Sequence, residues 1–339
     1  MTESQLLENL RLNPFVLAPM AGITDRPFRS FMREMGCGVM VSELVSATGL
    51  KYASAKTIKL MEFDSSQHPV GIQLFGEDLS HLTEAAQIVE QTGADFVDLN
   101  FGCPVPKVVN KGAGSACLKD LNRLREVVRA AKKGIKIPLT IKIRTGWDAH
   151  TRNSPGVTQL AYDEGVTWVA IHGRTRAAAY TGLADWDYIK ETKSQSRLPV
   201  IGNGDIHSAG QAIERLKGSG CDAVMIGRGC LKNPWIFAQA QARRTGMEPL
   251  VHGTLVKVLA RLLEHLDGYY PERITLIQMR KFAIWFSAGF PGASQFRRSV
   301  FQCTARQPTL DCINGFFAAI GDLPQTDTSD ESFLMGGHG

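Results

Sequence analysis

The stretch LPVIGNGDIHSAGQAIERLKGSGCDAVMIGR (198–228) contains two short apolar runs separated by a helical pattern. The runs LPVIGNG (198–204) and DAVMIGR (222–228) have the composition of buried strands. Between them, Ser208 is placed to cap a helix that stops near Gly218. This order predicts a parallel β–α–β unit, because parallel strands need a crossover connection of about this length.

The same unit recurs along most of the chain. Six further apolar runs precede it, with helical patterns in the intervals: FVLAPM (15–20), GVMVSEL (38–44), VGIQLF (70–75), DFVDLN (95–100), PLTIKIR (138–144) and TWVAIHG (167–173). Eight such repeats predict an α/β fold, a (β/α)8 TIM barrel. A doubly wound open sheet is the alternative, since strand number alone does not close a barrel.

The pattern changes after Pro249, where apolar residues recur at helical spacing with no strand-like runs between them. We therefore predict a barrel domain over 1–245, an all-helical domain over 246–325 and a disordered tail over 326–339. The polar stretch QARRTGMEP (241–249) is expected to join the two domains.

Charge is unevenly distributed along the chain, which carries a formal net charge of +5. Residues 241–310 hold ten Lys and Arg against four Asp and Glu, whereas the chain from Asp311 onward holds five acids and no Lys or Arg. A basic segment is typical of a polyanion-binding surface, but a solvated helical face is the alternative that charge alone favours.

Several classes of protein are disfavoured by composition. No apolar run reaches the ~18 residues of a membrane helix, and the polar N-terminus lacks a secretory-signal layout, so we expect a cytoplasmic protein. The seven cysteines are scattered without a CxxC pair, which disfavours a disulfide framework or a zinc site. Asp205 and His207 have no further ligand spaced nearby, so no metal is expected.

Polar side chains follow the predicted strands at the ends where a barrel places its active site. Within IKIR (141–144), the two-residue period puts one pair of cations on one face. Burying several charges without a partner is costly, so the set predicts an anionic ligand. The glycine-rich loops GNGDIHSAG and IGRGCLKNP predict a phosphate site. The polar set comprises Asp98, Asn100, Lys142, Arg144, His172, Asn203, Asp205 and Arg228, with Gly227 beside the last.

Cys103 differs from the other cysteines because it directly follows a predicted strand, in the loop NFGCP (100–104). A thiol at the barrel mouth is mostly protonated near neutral pH and can donate a proton to a carbanion-like centre. Nucleophilic use requires a base, for which His172 is the candidate. The residues alone leave both roles open.

At these positions the sequence resembles the tRNA-dihydrouridine synthase family, most closely its bacterial DusB-like branch. The matching segments follow the family's order over roughly residues 10–305: APMAGITDRPFR (18–29), VSE (41–43), NFGCP (100–104), KGAGSA (111–116), IKIRTGW (141–147), IHGRTR (171–176), NGDI (203–206), MIGRG (225–229), NPWIF (233–237) and QFRR (295–298). The residues after QFRR match the family pattern poorly.

The resemblance implies an FMN-binding barrel followed by a helical tRNA-binding domain. The implied reaction is the reduction of specific tRNA uridines to 5,6-dihydrouridine with NADPH as reductant. Hydride would pass from flavin N5 to uracil C6, and Cys103 would protonate C5. Asn100 and Arg144 would face the uracil. The implied flavin-binding residues are Pro19, Met20, Ala21, Gln73, Lys142, His172, Asn203, Gly204, Asp205, Gly227 and Arg228.

In the helical domain, Arg280, Lys281, Arg297 and Arg298 are the predicted contacts to tRNA phosphates. We expect a monomer. Two alternatives stay open: an FMN barrel that reduces a small enone or a dihydroorotate-like pyrimidine, and a non-catalytic RNA-binding barrel. The basic C-terminal segment argues against the first alternative, and Cys103 with Lys142 argues against the second.

Overall fold

Eight parallel strands form a closed barrel in chain order. The structure is a computed structural model that describes residues 1–249, 253–321, 323, 325 and 326. The barrel closes where Val16 of the first strand pairs with Met225 of the last, so the predicted TIM barrel is confirmed and the open-sheet alternative is wrong. The strands are β1 (Phe15–Leu17), β2 (Val39–Ser46), β3 (Val70–Phe75), β4 (Phe96–Phe101), β5 (Leu139–Arg144), β6 (Val169–His172), β7 (Val200–Asn203) and β8 (Ala223–Ile226).

Helices precede, connect and follow the strands. Those up to the end of the barrel are α1 (Glu3–Leu12), α2 (Arg26–Glu34), α3 (Ala47–Lys51), α4 (Ala55–Lys59), α5 (Leu79–Gln91), α6 (Pro106–Val109), α7 (Leu121–Lys133), α8 (Ser154–Asp163), α9 (Trp186–Gln195), α10 (Ala209–Ser219) and α11 (Ile236–Thr245). Short 3₁₀ helices span Ser65–Gln67, Gly114–Lys119 and Arg228–Leu231.

Local capping explains where two of these helices begin. The Asp25 carboxylate accepts the backbone N–H of Phe28 at 3.0 Å and starts α2, with Pro27 in its first turn. Ser208 caps α10 in the same way, as the sequence predicts. Such caps satisfy backbone donors that have no partner within the helix.

The C-terminal region is helical, as predicted. It contains α12 (Leu255–Asp267), α13 (Glu272–Phe286), α14 (Ala293–Gln302) and α15 (Arg306–Ile320). Of the expected linker, residues 241–245 belong to α11, which ends at a left-handed Gly246. The domain boundaries stay predictions, and the expected tail over 326–339 lies, apart from Thr326, outside the described residues.

Two apolar clusters make up the core. One lies inside the barrel at the N-terminal ends of the strands, where Phe96 and Trp168 pack with Leu6 and Leu10 of α1. The other surrounds the sheet and continues into the C-terminal helices without a break. The barrel and the helical region therefore share apolar packing. No helix among the described residues is long and apolar enough to cross a membrane.

Candidate active site

A cavity opens at the C-terminal ends of the strands. The fourteen barrel residues predicted to bind flavin or uracil or to act as the acid all lie in its wall, although they come from seven different strand ends and loops. They are Pro19, Met20, Ala21, Gln73, Asn100, Cys103, Lys142, Arg144, His172, Asn203, Gly204, Asp205, Gly227 and Arg228. Asp98, which belongs to the predicted polar set, does not line the cavity and lies beneath its wall.

Strand register explains why these side chains meet. Asn100 pairs with Lys142 across β4 and β5, while Arg144 pairs with His172 across β5 and β6. His172 in turn pairs with Asn203 on β7. Neighbouring strands thus end at similar heights, and the side chains at their ends line one cavity.

The loop after β4 is fixed by hydrogen bonds from both sides. The Asn100 Oδ1 atom accepts the backbone N–H groups of Gly102 at 3.2 Å and of Cys103 at 2.8 Å. The Cys103 carbonyl accepts the Ser115 hydroxyl at 2.8 Å and its N–H at 3.2 Å. The thiol is therefore carried on a backbone with little freedom to move.

A chain of polar contacts runs inside the barrel beneath this loop. Thr140 donates to one Asp98 oxygen at 2.6 Å, and the Gln73 amide nitrogen donates to the other at 2.7 Å. The Asn100 amide then donates to the Gln73 oxygen at 2.9 Å. These contacts fix the orientation of both amides, and satisfied buried networks of this kind are rigid.

The electrostatics favour an acid role for Cys103. Burial raises the pKa of its thiol although Arg144 and Lys142 lie nearby, so the thiol is protonated at neutral pH. The pKa of His172 is held well below its usual value by burial and by the surrounding cations, led by Lys142. A neutral, weakly basic imidazole is poorly suited to deprotonate a thiol whose pKa is raised.

Two cations face the cavity beside this thiol. Burial, with the neighbouring Arg144, lowers the pKa of Lys142 to about 8. Burial is also the main cause that lowers the pKa of Arg144 to about 10. Arg144 donates to the carbonyls of Gly102, Thr175 and Ala179 at 2.8–2.9 Å, which ties the loops after β4 and β6 together.

Comparison with known proteins identifies the family of this chain. The model of the family "Dihydrouridine synthase (Dus)" matches residues 16–320.

The chain belongs to the dihydrouridine synthase family.

Curated relatives agree with this match. The chain is 40% identical to tRNA-dihydrouridine synthase B of Pseudomonas aeruginosa over 310 residues, which are 90% of this chain and 93% of the relative. It is 37% identical to a probable tRNA-dihydrouridine synthase of Rickettsia conorii, over 84% of this chain and 87% of that protein. It is 35% identical to tRNA-dihydrouridine synthase B of Xanthomonas axonopodis, over 90% of this chain and 93% of that protein. As a Dus family member, the chain is an oxidoreductase.

Several side chains near the cavity escaped selection from the sequence, among them Arg174, which lies inside the Dus motif IHGRTR, and Tyr180. Arg174 is 5% exposed, and its guanidinium donates to the Asp205 carboxylate at 2.8 Å and to the Thr181 carbonyl at 3.2 Å. Tyr180 lies in the cavity wall, with its ring centre 5.7 Å from the Arg144 guanidinium carbon. Nothing in the sequence around Tyr180 signals this position.

The glycine-rich loops of the Dus barrel approach each other closely. A Cβ atom on Gly229 would lie 2.1 Å from the carbonyl oxygen of Ile206, and one on Gly204 would lie 2.5 Å from the Cβ of Ala184. Gly204 also has a φ of +129°, which side chains rarely allow. Glycine at position 229 therefore lets the loops after β7 and β8 pack together, and glycine at position 204 lets the loop after β7 approach the loop after β6.

The four basic residues predicted in the helical region lie outside the cavity wall. Arg280 donates to the Cys303 carbonyl at 2.5 Å and to Thr309 at 3.2 Å, and Lys281 donates to the barrel carbonyl of Gly22 at 2.6 Å. These internal bonds compete with phosphate contacts. The predicted tRNA contacts of Arg297, which is half-buried, and Arg298, which is exposed, stay predictions alongside those of Arg280 and Lys281.

Within the described ranges, no three His, Cys, Asp or Glu side chains are grouped so that they could hold a metal ion. All seven cysteines, each of which lies in those ranges, are free thiols.

Proposed function

We propose that this chain reduces specific uridines in tRNA to 5,6-dihydrouridine, with FMN as cofactor and NADPH as reductant. The observation that carries the proposal is the protonated thiol of Cys103, which lines one cavity with the cations Lys142 and Arg144. The family match, which covers residues 16–320, supports the same chemistry.

The cavity wall fits a flat, anionic and partly apolar ligand such as FMN. Its apolar lining comes from residues 18–20 with Leu44 and Met225. The same wall contains three cations, Lys142, Arg144 and Arg228. An anionic ligand offsets the cost of keeping these cations partly desolvated. FMN, when bound, would supply the hydride for reduction of the uracil ring at C6, with NADPH as the source of electrons.

Different residues of the chain would contact different parts of FMN. Lys142 would face the N1–O2 edge of the flavin, where a cation stabilises developing negative charge. His172, Asn203, Gly204, Asp205, Gly227 and Arg228 would hold the ribityl and phosphate side, while Gln73 and residues 19–21 would contact the ring.

On the substrate side, Asn100 and Arg144 would bind the uracil edge. Cys103 would hold its proton until C5 of the base becomes electron-rich and would then donate it there. The raised thiol pKa supports this role, because a thiolate has no proton to give. The fixed loop backbone would keep the thiol aligned with C5.

A tRNA substrate accounts for the basic C-terminal segment. A uridine must leave its stack to enter the cavity, which costs a few kcal/mol and least in a loop. The helical region would bind the phosphates around it, as the excess of six positive charges over residues 241–310 supports. We also propose that the protein is a monomer and that it acts in the cytoplasm.

The test combines a spectrum with an assay. The purified protein should carry FMN with its yellow flavin absorbance. With NADPH, it should form dihydrouridine at defined positions in tRNA from a strain that lacks this gene. A colourless protein that takes up no FMN would overturn the cofactor proposal and favour the non-catalytic RNA-binding alternative.

The small-molecule alternative is tested in the same assay. If free uridine, dihydroorotate or a simple enone turned over as well as tRNA does, the substrate proposal would fail while the cofactor proposal stood. We expect instead that tRNA binds with a strong salt dependence and that free pyrimidines are poor substrates.

A further inference from the structure

The segment 18–25 connects β1 to α2 and forms one wall of the cavity. Residues 18–21 line the cavity directly. Within the segment, the Thr24 hydroxyl oxygen accepts the backbone N–H of Met20 at 2.9 Å, and the Thr24 N–H donates to the Met20 carbonyl at 3.0 Å. The segment is therefore a compact turn, and a shift at its exposed tip, Gly22, moves the wall with it.

A bulge in β2 aims one carboxylate at this tip. Between Val41 and Leu44, β2 advances by three residues while its partner strand advances by two, which leaves one extra residue. Glu43 lies in this bulge and is only 7% exposed. Its carboxylate accepts the backbone N–H of Gly22. The barrel thus binds the tip of the segment from one side.

The helical region binds the same tip from the other side. Lys281 of α13 donates from Nζ to the Gly22 carbonyl at 2.6 Å. The ammonium lies 5.1 Å from the ring centre of Trp285, and the carboxylates of Asp25 and Glu43 attract it. Lys281 is therefore held at the interface rather than being extended into solvent.

Further contacts join the same elements. The Tyr270 hydroxyl, in the turn before α13, donates to the second Asp25 oxygen at 2.7 Å. Phe282 of α13 stacks on Phe28 of α2, with ring centres 4.9 Å apart and planes 8° apart. The helical region is thus packed against α2, and Lys281 is the side chain that extends this contact to the cavity wall.

We propose that Lys281 is a positioning residue that, together with Glu43, holds Gly22 and thereby fixes the 18–21 wall against the flavin. The proposal rests on the proposed function in that FMN is taken as the ligand of the cavity. Docking of the helical region and affinity for FMN are then coupled. A change at Lys281 weakens FMN binding although this side chain does not line the cavity.

The test measures FMN affinity of the full-length apoprotein by quenching of flavin fluorescence. Lys281→Met removes the charge and the donor but keeps most of the apolar stem. If this variant leaves the 18–25 segment correctly placed only one tenth of the time, the Kd for FMN should rise about tenfold. Lys281→Arg, which keeps a donor, should recover most of the affinity. Glu43→Met removes the acceptor of the Gly22 N–H, provides a second, independent weakening of the same tip and is informative if Lys281→Met does not fold.

The matched control is Arg261→Met. Arg261 also joins the helical region to the barrel, through an ion pair to Glu34 of α2 at 2.6 Å, but it has no contact with the 18–25 segment. Its variant should bind FMN within about twofold of the unmodified protein. Equal weakening by Lys281→Met and Arg261→Met, or full affinity in Lys281→Met or in Glu43→Met, would overturn the positioning role. Failure of the unmodified chain to bind FMN would instead overturn the proposed function.

Discussion

The side-chain oxygen of Asn100 accepts the backbone N–H of Cys103 at 2.8 Å, so a residue expected to face the uracil also fixes the loop that carries the thiol. The opposite end of the same amide donates to Gln73. Asn100 therefore links the proton donor to the polar chain inside the barrel, and its loss should displace the thiol rather than change its chemistry.

Replacement of Asn100 by alanine should lower kcat for dihydrouridine formation by roughly 10- to 100-fold, because misplacement by about 1 Å is enough for such a loss. FMN affinity should change much less. Asn110→Ala, at an exposed asparagine just beyond the same loop, is the control and should turn over normally. An unchanged kcat in Asn100→Ala would mean that the Ser115 contacts hold the loop alone.

Replacement of Cys103 by alanine should keep FMN and tRNA binding but reduce single-turnover dihydrouridine formation by about 10²- to 10⁴-fold, the usual contribution of a general acid. Cys312→Ala is the control, since Cys312 is partly buried and lies outside the cavity wall. Full activity in Cys103→Ala would refute the acid assignment.

Lys142→Met should make the apoprotein more stable at neutral pH while weakening FMN binding. Burial lowers the folded-state pKa to about 8 from a usual value of 10.5, so the unfolded chain holds the proton more tightly. The gain in unfolding free energy should be ~1–3 kcal/mol, since the side chain is only partly exposed in the cavity.

The stability gained by Lys142→Met should depend on pH. Below pH 8 both states of the unmodified protein are protonated, so the cost of the buried charge is fully present. Between pH 8 and 10.5 the folded state loses the proton first, and stability rises with pH. The advantage of Lys142→Met in urea unfolding should therefore be largest below pH 8 and vanish towards pH 10.5. A constant difference across this range would contradict the assignment.

Arg174→Met should destabilise the protein by ~3–5 kcal/mol, because it leaves the Asp205 carboxylate without its partner in a largely buried position. Unfolding in urea measures the loss. The double variant Arg174→Met with Asp205→Asn should recover part of it, since no unpaired charge is then buried. Simple additivity of the two single variants would show that the pair does not interact.

Two arginines of the helical region are predicted to have different roles, one in RNA binding and one in stability. Arg298 is exposed, so Arg298→Ala should leave thermal stability unchanged and reduce the salt slope of tRNA binding by about one. Arg280 bonds to Cys303 and Thr309, so Arg280→Ala should lower the melting temperature. The opposite pattern, measured by filter binding and thermal unfolding, would exchange the two roles.

Local sequence was enough to predict the strands of the barrel and the polar part of its cavity wall, whereas five wall residues came only from the family resemblance: Pro19, Met20, Ala21, Gln73 and Gly204. The strands are apolar runs, and a polar side chain at the end of a barrel strand, such as Lys142 or His172, must reach the cavity. Long-range partners could not be predicted in this way. The Arg174–Asp205 pair joins residues 31 positions apart, and the Glu43 bulge depends on how β2 pairs with β3. Arg280 and Lys281 were selected for their charge, which does not reveal their internal acceptors.

The stack of Phe28 on Phe282 has a consequence for how the chain is made. The two rings are about 250 residues apart in sequence, and α2 is among the first elements to leave the ribosome. At ~5–20 residues per second, the apolar face of α2 waits roughly 10–50 s for its partner helix to be translated. During that interval the nascent barrel exposes aromatic surface, so its final packing is reached only after the C-terminal helices have emerged.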